Sequence, residues 1–162
     1  MTIRKAERNE VTLLANFQRA LDNYNYSTLG LRDLFYGLNP GDQGAYESMM
    51  RNYVADENNV FYIAEEETET QPVGFALLIL EPNKFGDNRL YALLDFIFVD
   101  PDFQRKGVGQ AIFNTIVAEL KILGAVGLSS QVFENNQISL NFHEKNGFRI
   151  IATSHELYKP LT

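Results

Sequence analysis

The 162 residues predict a mixed α/β domain, and three observations carry that prediction. The hydrophobic period changes at Val60: before it, apolar residues recur at helical spacing, and after it they fall in short strand-like runs. Residues 90–123 read as one strand, an Asp-Pro stop, a turn with two glycines and an amphipathic helix. No linker, repeat or low-complexity stretch divides the chain, so one domain is expected over residues 1–162.

Taken in order, residues 3–6 form a short strand and residues 7–21 a helix with Leu14, Phe17 and Leu21 on one face. Tyr24-Asn25-Tyr26-Ser27 is expected to break that helix, with Ser27 capping a second short helix that reaches Leu38. Asn39-Pro40-Gly41 is a turn. Asp42 then caps a third helix whose apolar stripe is Tyr46, Met49, Met50, Tyr53 and Val54. Residues 60–65 make a strand, and the acidic run at 66–70 reads as a solvated hairpin turn. Pro72 opens the next strand, 73–80, whose unbroken apolar run predicts burial on both faces. A polar loop leads to the strand at 90–99, interrupted by one charge, Asp95. Ile112, Ile116, Leu120 and Leu123 repeat at helical spacing up to Gly124, a good helix stop. A strand at 125–133 follows, then a helix capped by Asn135 or Asn136 and ended at Gly147. Residues 148–151 and 155–158 close the chain as two strands, with His155 a structural residue of the last.

Composition narrows the function. Apolar content of 45% with 22% charge is that of a soluble globular protein. A net charge of −7 argues against nucleic-acid or anionic-membrane partners and mildly favours a cationic small substrate. With no cysteine, there is no disulfide, thiolate metal site or cysteine nucleophile, and the two histidines lack metal-ligand spacing, so no metal is expected. Residues 1–5 lack the apolar core of a signal peptide, and no apolar run reaches membrane-spanning length, so a cytoplasmic protein is expected.

The chemistry centres on Asp100-Pro101-Asp102-Phe103-Gln104-Arg105-Lys106-Gly107-Val108-Gly109-Gln110-Ala111. Proline ends the strand, and the glycines free the backbone where a helix begins. Unpaired N–H groups and the positive end of the dipole make such a start a phosphate cradle. A P-loop needs a trailing Lys-Ser/Thr, which is missing here. A Rossmann fingerprint needs a third glycine where Ile112 stands, and an acidic residue where Ser129 and Ser130 stand. An ordinary tight βα turn is the bland reading. The spacing Gln104-x-x-Gly107-x-Gly109 resembles the acetyl-coenzyme A loop, Q/R-x-x-G-x-G/A, of the GCN5-related N-acetyltransferase (GNAT) family. One strand later, Asn136-Gln137-Ile138-Ser139-Leu140-Asn141-Phe142-His143-Glu144-Lys145-Asn146-Gly147-Phe148 resembles that family's late helix, N-x-x-[AS]-x-x-[FL]-Y-x-K-x-G-F. Taken alone, that stretch is an amphipathic helix with an Asn cap and a Gly stop.

The resemblance spans residues 60 to about 158 and implies a central mixed, mostly antiparallel sheet of six to seven strands flanked by helices. It also implies roles. Backbone amides of Arg105, Lys106, Gly107, Val108, Gly109 and Gln110 would hold the coenzyme pyrophosphate. Backbone groups of Ile97, Phe98 and Val99 would pair with the pantetheine arm like an added strand, helped by Asn136, with Ser139 on the same helix face. His143 stands where the family usually has a tyrosine thought to protonate the departing thiolate. It is either the replacement acid or a spectator that leaves the proton to solvent. Asp95, the lone charge of an apolar strand, is either the base that deprotonates the amine or an ordinary strand carboxylate facing solvent or an arginine. Its place before Val99 resembles an acidic position of the diamine and polyamine acetyltransferase branch. Tyr24-Asn25-Tyr26 resembles that branch's aromatic-polar-aromatic turn, with Asn25 replacing its acidic residue. Glu134 is a further candidate for contacting the acceptor.

The expected function is therefore transfer of an acetyl group from acetyl-CoA to a primary amine, of a diamine-like or amino-acid-like molecule, without a covalent intermediate. An acceptor amine on a peptide or protein is the alternative within catalysis. A non-catalytic acyl-CoA-binding or regulatory module, without an acid at position 143, is the competing class. The resemblance also implies a homodimer.

Overall fold

The computed structural model describes residues 1–28, 41–67 and 71–153 of the chain. Among them one sheet forms, in the order β1 (Thr2–Lys5), β2 (Asn59–Glu66), β3 (Gln71–Pro82), β4 (Leu90–Val99) and β5 (Gly127–Ser130). The first three pairings are antiparallel and β4–β5 is parallel. That parallel step requires a crossover, supplied by helix α3 (Val108–Ile122). Helices α1 (Val11–Thr28), α2 (Gln43–Ala55) and α4 (Gln137–Lys145) complete the described elements.

The sheet is covered on both sides, and strand alternation shows how. Phe61, Ile63, Phe75 and Leu77 pack under α1 and α2 with Leu14, Phe17, Tyr46 and Met50. Tyr62, Ala64, Ala76 and Leu78 face the other way, against Val108, Ile112, Ile116 and Leu120 of α3. β3 is thus buried on both faces, as its continuous apolar run requires. Gly74 marks a close approach, since a Cβ there would lie 2.9 Å from the Phe98 carbonyl oxygen on β4.

Several elements match their sequence signals closely. Asp42 caps α2 by accepting from the Ala45 N–H at 3.0 Å, and Asn136 caps α4 by accepting from Ser139 N–H at 3.1 Å. Gly124 and Gly147 end α3 and α4 at φ +73 and +86. β4 has the expected limits.

Other expectations need correction. The described sheet has five strands, not six to seven. Residues 148–151 form no ladder: the Phe148 N–H donates to the His143 carbonyl at the end of α4, and Ile150 and Ile151 are exposed. The stretch at 125–133 is a strand only over Gly127–Ser130, because its pairing with β4 stops at Leu94↔Ser130. Tyr24-Asn25-Tyr26-Ser27 is not a turn but the last part of α1. Without glycine or proline there, the helix continues, and Ser27 Oγ donates back to the Asn23 carbonyl at 2.6 Å. The expected helix up to Leu38, the Asn39-Pro40 turn, the tip of the acidic hairpin and the strand holding His155 lie outside the described residues. Among the described residues, no helix is long and apolar enough to cross a membrane.

Gly74→Ala is expected to destabilise the protein by about 1–3 kcal/mol, because the new methyl meets backbone rather than a flexible side chain. Urea denaturation reads this directly; an unchanged midpoint would show that β3 and β4 separate there at little cost.

Candidate functional site

Register builds the site. Leu77 pairs with Phe96 and Leu78 with Leu94, so Asp95 is the extra residue of a β-bulge. The bulge shifts the alternation of β4. Ala92 and Leu94 face the α3 side, whereas Phe96 and Phe98 face α1 and α2, and Ile97 and Val99 return to the α3 side. One residue after Leu94 the second neighbour is also gone, since β5 pairs only with residues 91–94. Among the described residues, the edge of β4 carrying Ile97, Phe98 and Val99 is therefore open on the β5 side, while its other edge pairs with Ala76, Phe75 and Gly74. An extended chain can add there as a strand does.

At the end of that edge lies the glycine turn. A short 3-10 turn, Pro101–Phe103, is capped by Asp100, which accepts from the Asp102 N–H at 3.0 Å. Arg105 at φ +60 and Gly107 at φ +86 turn the chain into α3. The first α-type bond is Ala111 N–H to Gly107 carbonyl, and no side chain caps the start. None of the N–H groups of Arg105, Lys106, Gly107, Val108, Gly109 and Gln110 makes a hydrogen bond of good geometry to a described residue. These weakly engaged donors lie at the positive end of a 15-residue helix, beside the exposed side chains of Arg105 and Lys106. A Cβ on Gly107 would project into open space, and one on Gly109 would touch Val99 and Phe142, in the gap between β4 and α4. The donors, the positive end and the bare backbone fit a pyrophosphate followed by a narrow arm.

Two polar locks hold this arrangement. Gln104 does not reach outward: its Nε2 donates to the Val99 carbonyl at 3.1 Å and ties the loop to the strand end. The Gln110 side chain is likewise engaged, donating to Asn146 Oδ1 at 2.6 Å and accepting from Asn146 Nδ2 at 3.3 Å. That amide pair clamps the first turn of α3 to the end of α4, and nothing in the motif spacing announces it.

Helix α4 presents Asn136, Ser139 and His143. The Asn136 side-chain oxygen serves the helix cap, leaving its amide N–H groups for other partners. His143 is 6% exposed and enclosed by the rings of Phe142 and Phe148. Its Nδ1 lies 2.8 Å from the Ser139 carbonyl oxygen, which only accepts, so Nδ1 carries the hydrogen. In the neutral ring Nε2 is then a bare lone pair, buried and without a partner. A neutral His143 has its one N–H committed to Ser139, and only the imidazolium offers a proton at Nε2.

Asp95 is half-buried, and among the described residues no hydrogen bond or ion pair reaches its carboxylate. Burial pushes its pKa above the ordinary value of 3.8. Its charge acts on the Tyr53 hydroxyl of α2, which burial, then Asp95, then Asp22 push upward. Tyr24 meets Phe98 edge-on at 6.4 Å, so α1 lies over the end of β4. Asn25 is half-buried on the same helix, and Glu134 is exposed in the loop before α4, where no contact joins it to Asp95. Asp22, Tyr46 and Tyr53 were not signalled by any motif. The trace they leave in the sequence is the i, i+4 pair Gln18 and Asp22 beside the apolar stripe of α1.

Comparison with known proteins agrees with this geometry. The model of the acetyltransferase (GNAT) family matches residues 27–148. A peptidyl-lysine N-acetyltransferase, YjaB, of Salmonella typhimurium strain LT2 is 31% identical over 94 residues, 57% of this chain and 54% of that protein. The chain thus spans about half the length of the curated relatives it matches. Among solved structures, a tetramutant of the BH1408 protein of Bacillus halodurans superposes with a TM-score of 0.78 at 19% identity, covering 98% of this chain and all of that one. The aminoglycoside N-acetyltransferase AAC(6')-Iy, in complex with CoA, superposes with a TM-score of 0.68 at 16% identity, over 98% and 99% of the two chains. At these identities the structures speak for the fold.

Because folding raises the Asp95 pKa, the folded protein holds that proton more tightly than the unfolded chain. The penalty is absent below the ordinary carboxylate value, grows as pH rises through the folded value, and is complete above it. Asp95→Asn is therefore expected to raise Tm by a few degrees at pH 7, with the gain vanishing toward pH 3.8. Calorimetry across pH checks this, and a lower Tm at pH 7 would reveal a stabilising partner for the carboxylate.

Proposed function

The chain belongs to the acetyltransferase (GNAT) family, and on that premise we propose that it transfers an acetyl group from acetyl-CoA to a primary amine. The observation that carries the proposal is the run of amides at the start of α3 without a well-formed partner among the described residues, next to the open edge of β4. Acetyl-CoA supplies the acyl group as a thioester, already activated toward nitrogen.

The residues divide the work by position. The amides of Arg105, Lys106, Gly107, Val108, Gly109 and Gln110 hold the pyrophosphate, while Gln104 and the Gln110–Asn146 pair keep the loop in place. Ile97, Phe98 and Val99 offer backbone partners to the arm, and Asn136 offers its amide N–H groups. Held this way, the thioester meets an amine already bound on the α1/α2 side, and proximity provides much of the acceleration. Asp95 takes the proton that an ammonium must lose before its nitrogen can attack, directly or through water. The C–N bond forms, the nitrogen gives up its second proton to solvent, the C–S bond breaks, and the thiolate receives a proton either from His143, in its imidazolium form, or from solvent. Ser139 holds the His143 ring through Nδ1, so Nε2 is the atom available for that transfer.

A small amine is the acceptor we favour, because no lysine or arginine among the described residues forms an ion pair with Asp95 or Asp22. A peptide amine is the second reading, favoured by the similarity to a peptidyl-lysine N-acetyltransferase.

Gly107→Val is expected to weaken acetyl-CoA binding at least about tenfold, because a β-branched side chain is strained at φ +86 and would distort the turn that presents the amides. Calorimetric titration measures this, and a wild-type Kd would remove the loop from the binding site. His143→Ala is expected to lower kcat about tenfold or more while acetyl-CoA affinity stays similar. Thiol release across a panel of diamines, amino acids, aminoglycosides and lysine peptides supplies the rate, and an unchanged kcat would leave the thiolate proton to solvent. Tight coenzyme binding without turnover on any amine would support a non-catalytic acyl-CoA module instead.

A further inference from the structure

Helix α4 carries His143, yet little apolar packing holds that helix. His143 is the one buried residue of its nine, and Ile138 is 69% exposed. Its apolar anchor is Phe142, which meets Phe113 of α3 edge-on at 5.8 Å. Burial of apolar surface is non-directional, so this contact alone leaves α4 free to slide along α3. A group on α4 that acts on the thioester needs a closer register than that.

The amide pair of Gln110 and Asn146 supplies direction. Gln110 Nε2 donates to Asn146 Oδ1 at 2.6 Å, and Asn146 Nδ2 returns a bond to Gln110 Oε1 at 3.3 Å. The second N–H of each amide is also taken, by Asn114 Oδ1 at 3.0 Å and by the Phe142 carbonyl at 2.8 Å. Those outer bonds fix which end of each amide faces the other, because a flipped amide would set like atoms together. Among the described residues, no other side-chain hydrogen bond joins α3 to α4 or its cap.

Both partners stand beside the chemistry. Gln110 is the third residue of α3 and the last of the cradle. Asn146 caps the end of α4, where its backbone N–H donates to the His143 carbonyl at 3.0 Å and its side chain holds the Phe142 carbonyl. A Cβ on Gly109 would lie 3.7 Å from Val99 and 3.8 Å from Phe142, so the gap between β4 and α4 is narrow beside the cradle. A slide of α4 would change that gap and the place of His143 together.

We propose that Gln110 and Asn146 are positioning residues: their amide pair fixes α4 on the coenzyme-binding end of α3 and so holds His143 toward the sulfur of bound acetyl-CoA. The proposal rests on the acetyl-transfer reading for what His143 does there. The clamp itself rests on the geometry of the two helices.

The test replaces Gln110 by leucine in the whole chain, which keeps the backbone N–H and a good helix former and leaves Asn146 to cap α4. Gln110→Leu is expected to lower kcat about tenfold while the Kd for acetyl-CoA changes less than about threefold. In a His143→Ala background the same change is expected to lower kcat less than about twofold, because its effect runs through His143. Asn114→Ala, which removes only the bond inside α3, is expected to leave kcat as it is. Gln110→Met, similar in length and without donors, replaces the leucine variant if that one does not fold.

A second readout needs no turnover. The chain has two histidines, so the ring signal of His143 in an NMR spectrum is assigned by its loss in His143→Ala. Added CoA is expected to move that signal to one new position in the wild type, and to leave it broadened or split in Gln110→Leu. An unchanged kcat in Gln110→Leu, or an equal loss in both backgrounds, would overturn the positioning role while leaving acetyl transfer intact. So would a His143 signal that answers CoA alike in wild type and variant. If no amine is acetylated but the single CoA-bound signal still depends on Gln110, the clamp stands and the transfer reading falls.

Discussion

Among the described residues, strand β4 runs between two neighbours as far as Leu94 and beside only one thereafter, and the candidate site is built on that change. A strand with one free edge exposes backbone donors and acceptors that a ligand can complete. The same position carries the bulge, which moves Asp95 out of the regular alternation and puts Phe96 and Phe98 on the α1/α2 face. The end of the strand delivers the chain into the glycine turn, and Gln104 ties that turn back to Val99. Open edge, displaced carboxylate and glycine turn follow one another along the last half of β4.

Polar groups away from the site are well matched. Arg4 meets both Glu10 and Glu65, at 2.7 and 2.6 Å, which holds the start of α1 to β1 and β2 and raises the guanidinium pKa. Tyr62 donates to Glu119 at 2.8 Å, and Lys5 pairs with the same carboxylate. Among the described residues the unmatched groups lie elsewhere: Asp95 without a partner, Asp22 without a cation, His143 with a bare Nε2. Stability is given up where charge and lone pairs are exposed for chemistry, a distribution expected of a working site.

The glycine turn and the late helix were legible because their roles are local. A left-handed φ calls for glycine at position 107 and is met, at more strain, by Arg105; a helix start needs a cap, which Asn136 supplies; a helix stop needs Gly147. Asp95 was legible as a charge out of place in an apolar strand. The extent of β5 and the fate of residues 148–151 were not, because pairing depends on which backbone lies alongside. An apolar run such as Phe148-Arg149-Ile150-Ile151 reads equally well as a strand or as the tail of a capped helix. The run Tyr24-Asn25-Tyr26-Ser27 misled for a related reason: polar and aromatic residues disfavour a helix only weakly, and packing of Tyr24 on Phe98 keeps the helix going.

By itself, the sequence determined the strand-turn-helix unit, the glycine turn from Gln104 to Gly109, and the residue types available at positions 95 and 143. Each depends on neighbours within a few residues, which the order of the chain specifies. Only the tertiary structure decided that Gln104 and Gln110 face inward as ties, and that the His143 hydrogen sits on Nδ1. It also decided that Asp22 is buried beside Tyr46. Those facts depend on burial and on partners brought together across the fold, such as the 36 residues separating Gln110 from Asn146. No periodicity in the chain encodes them.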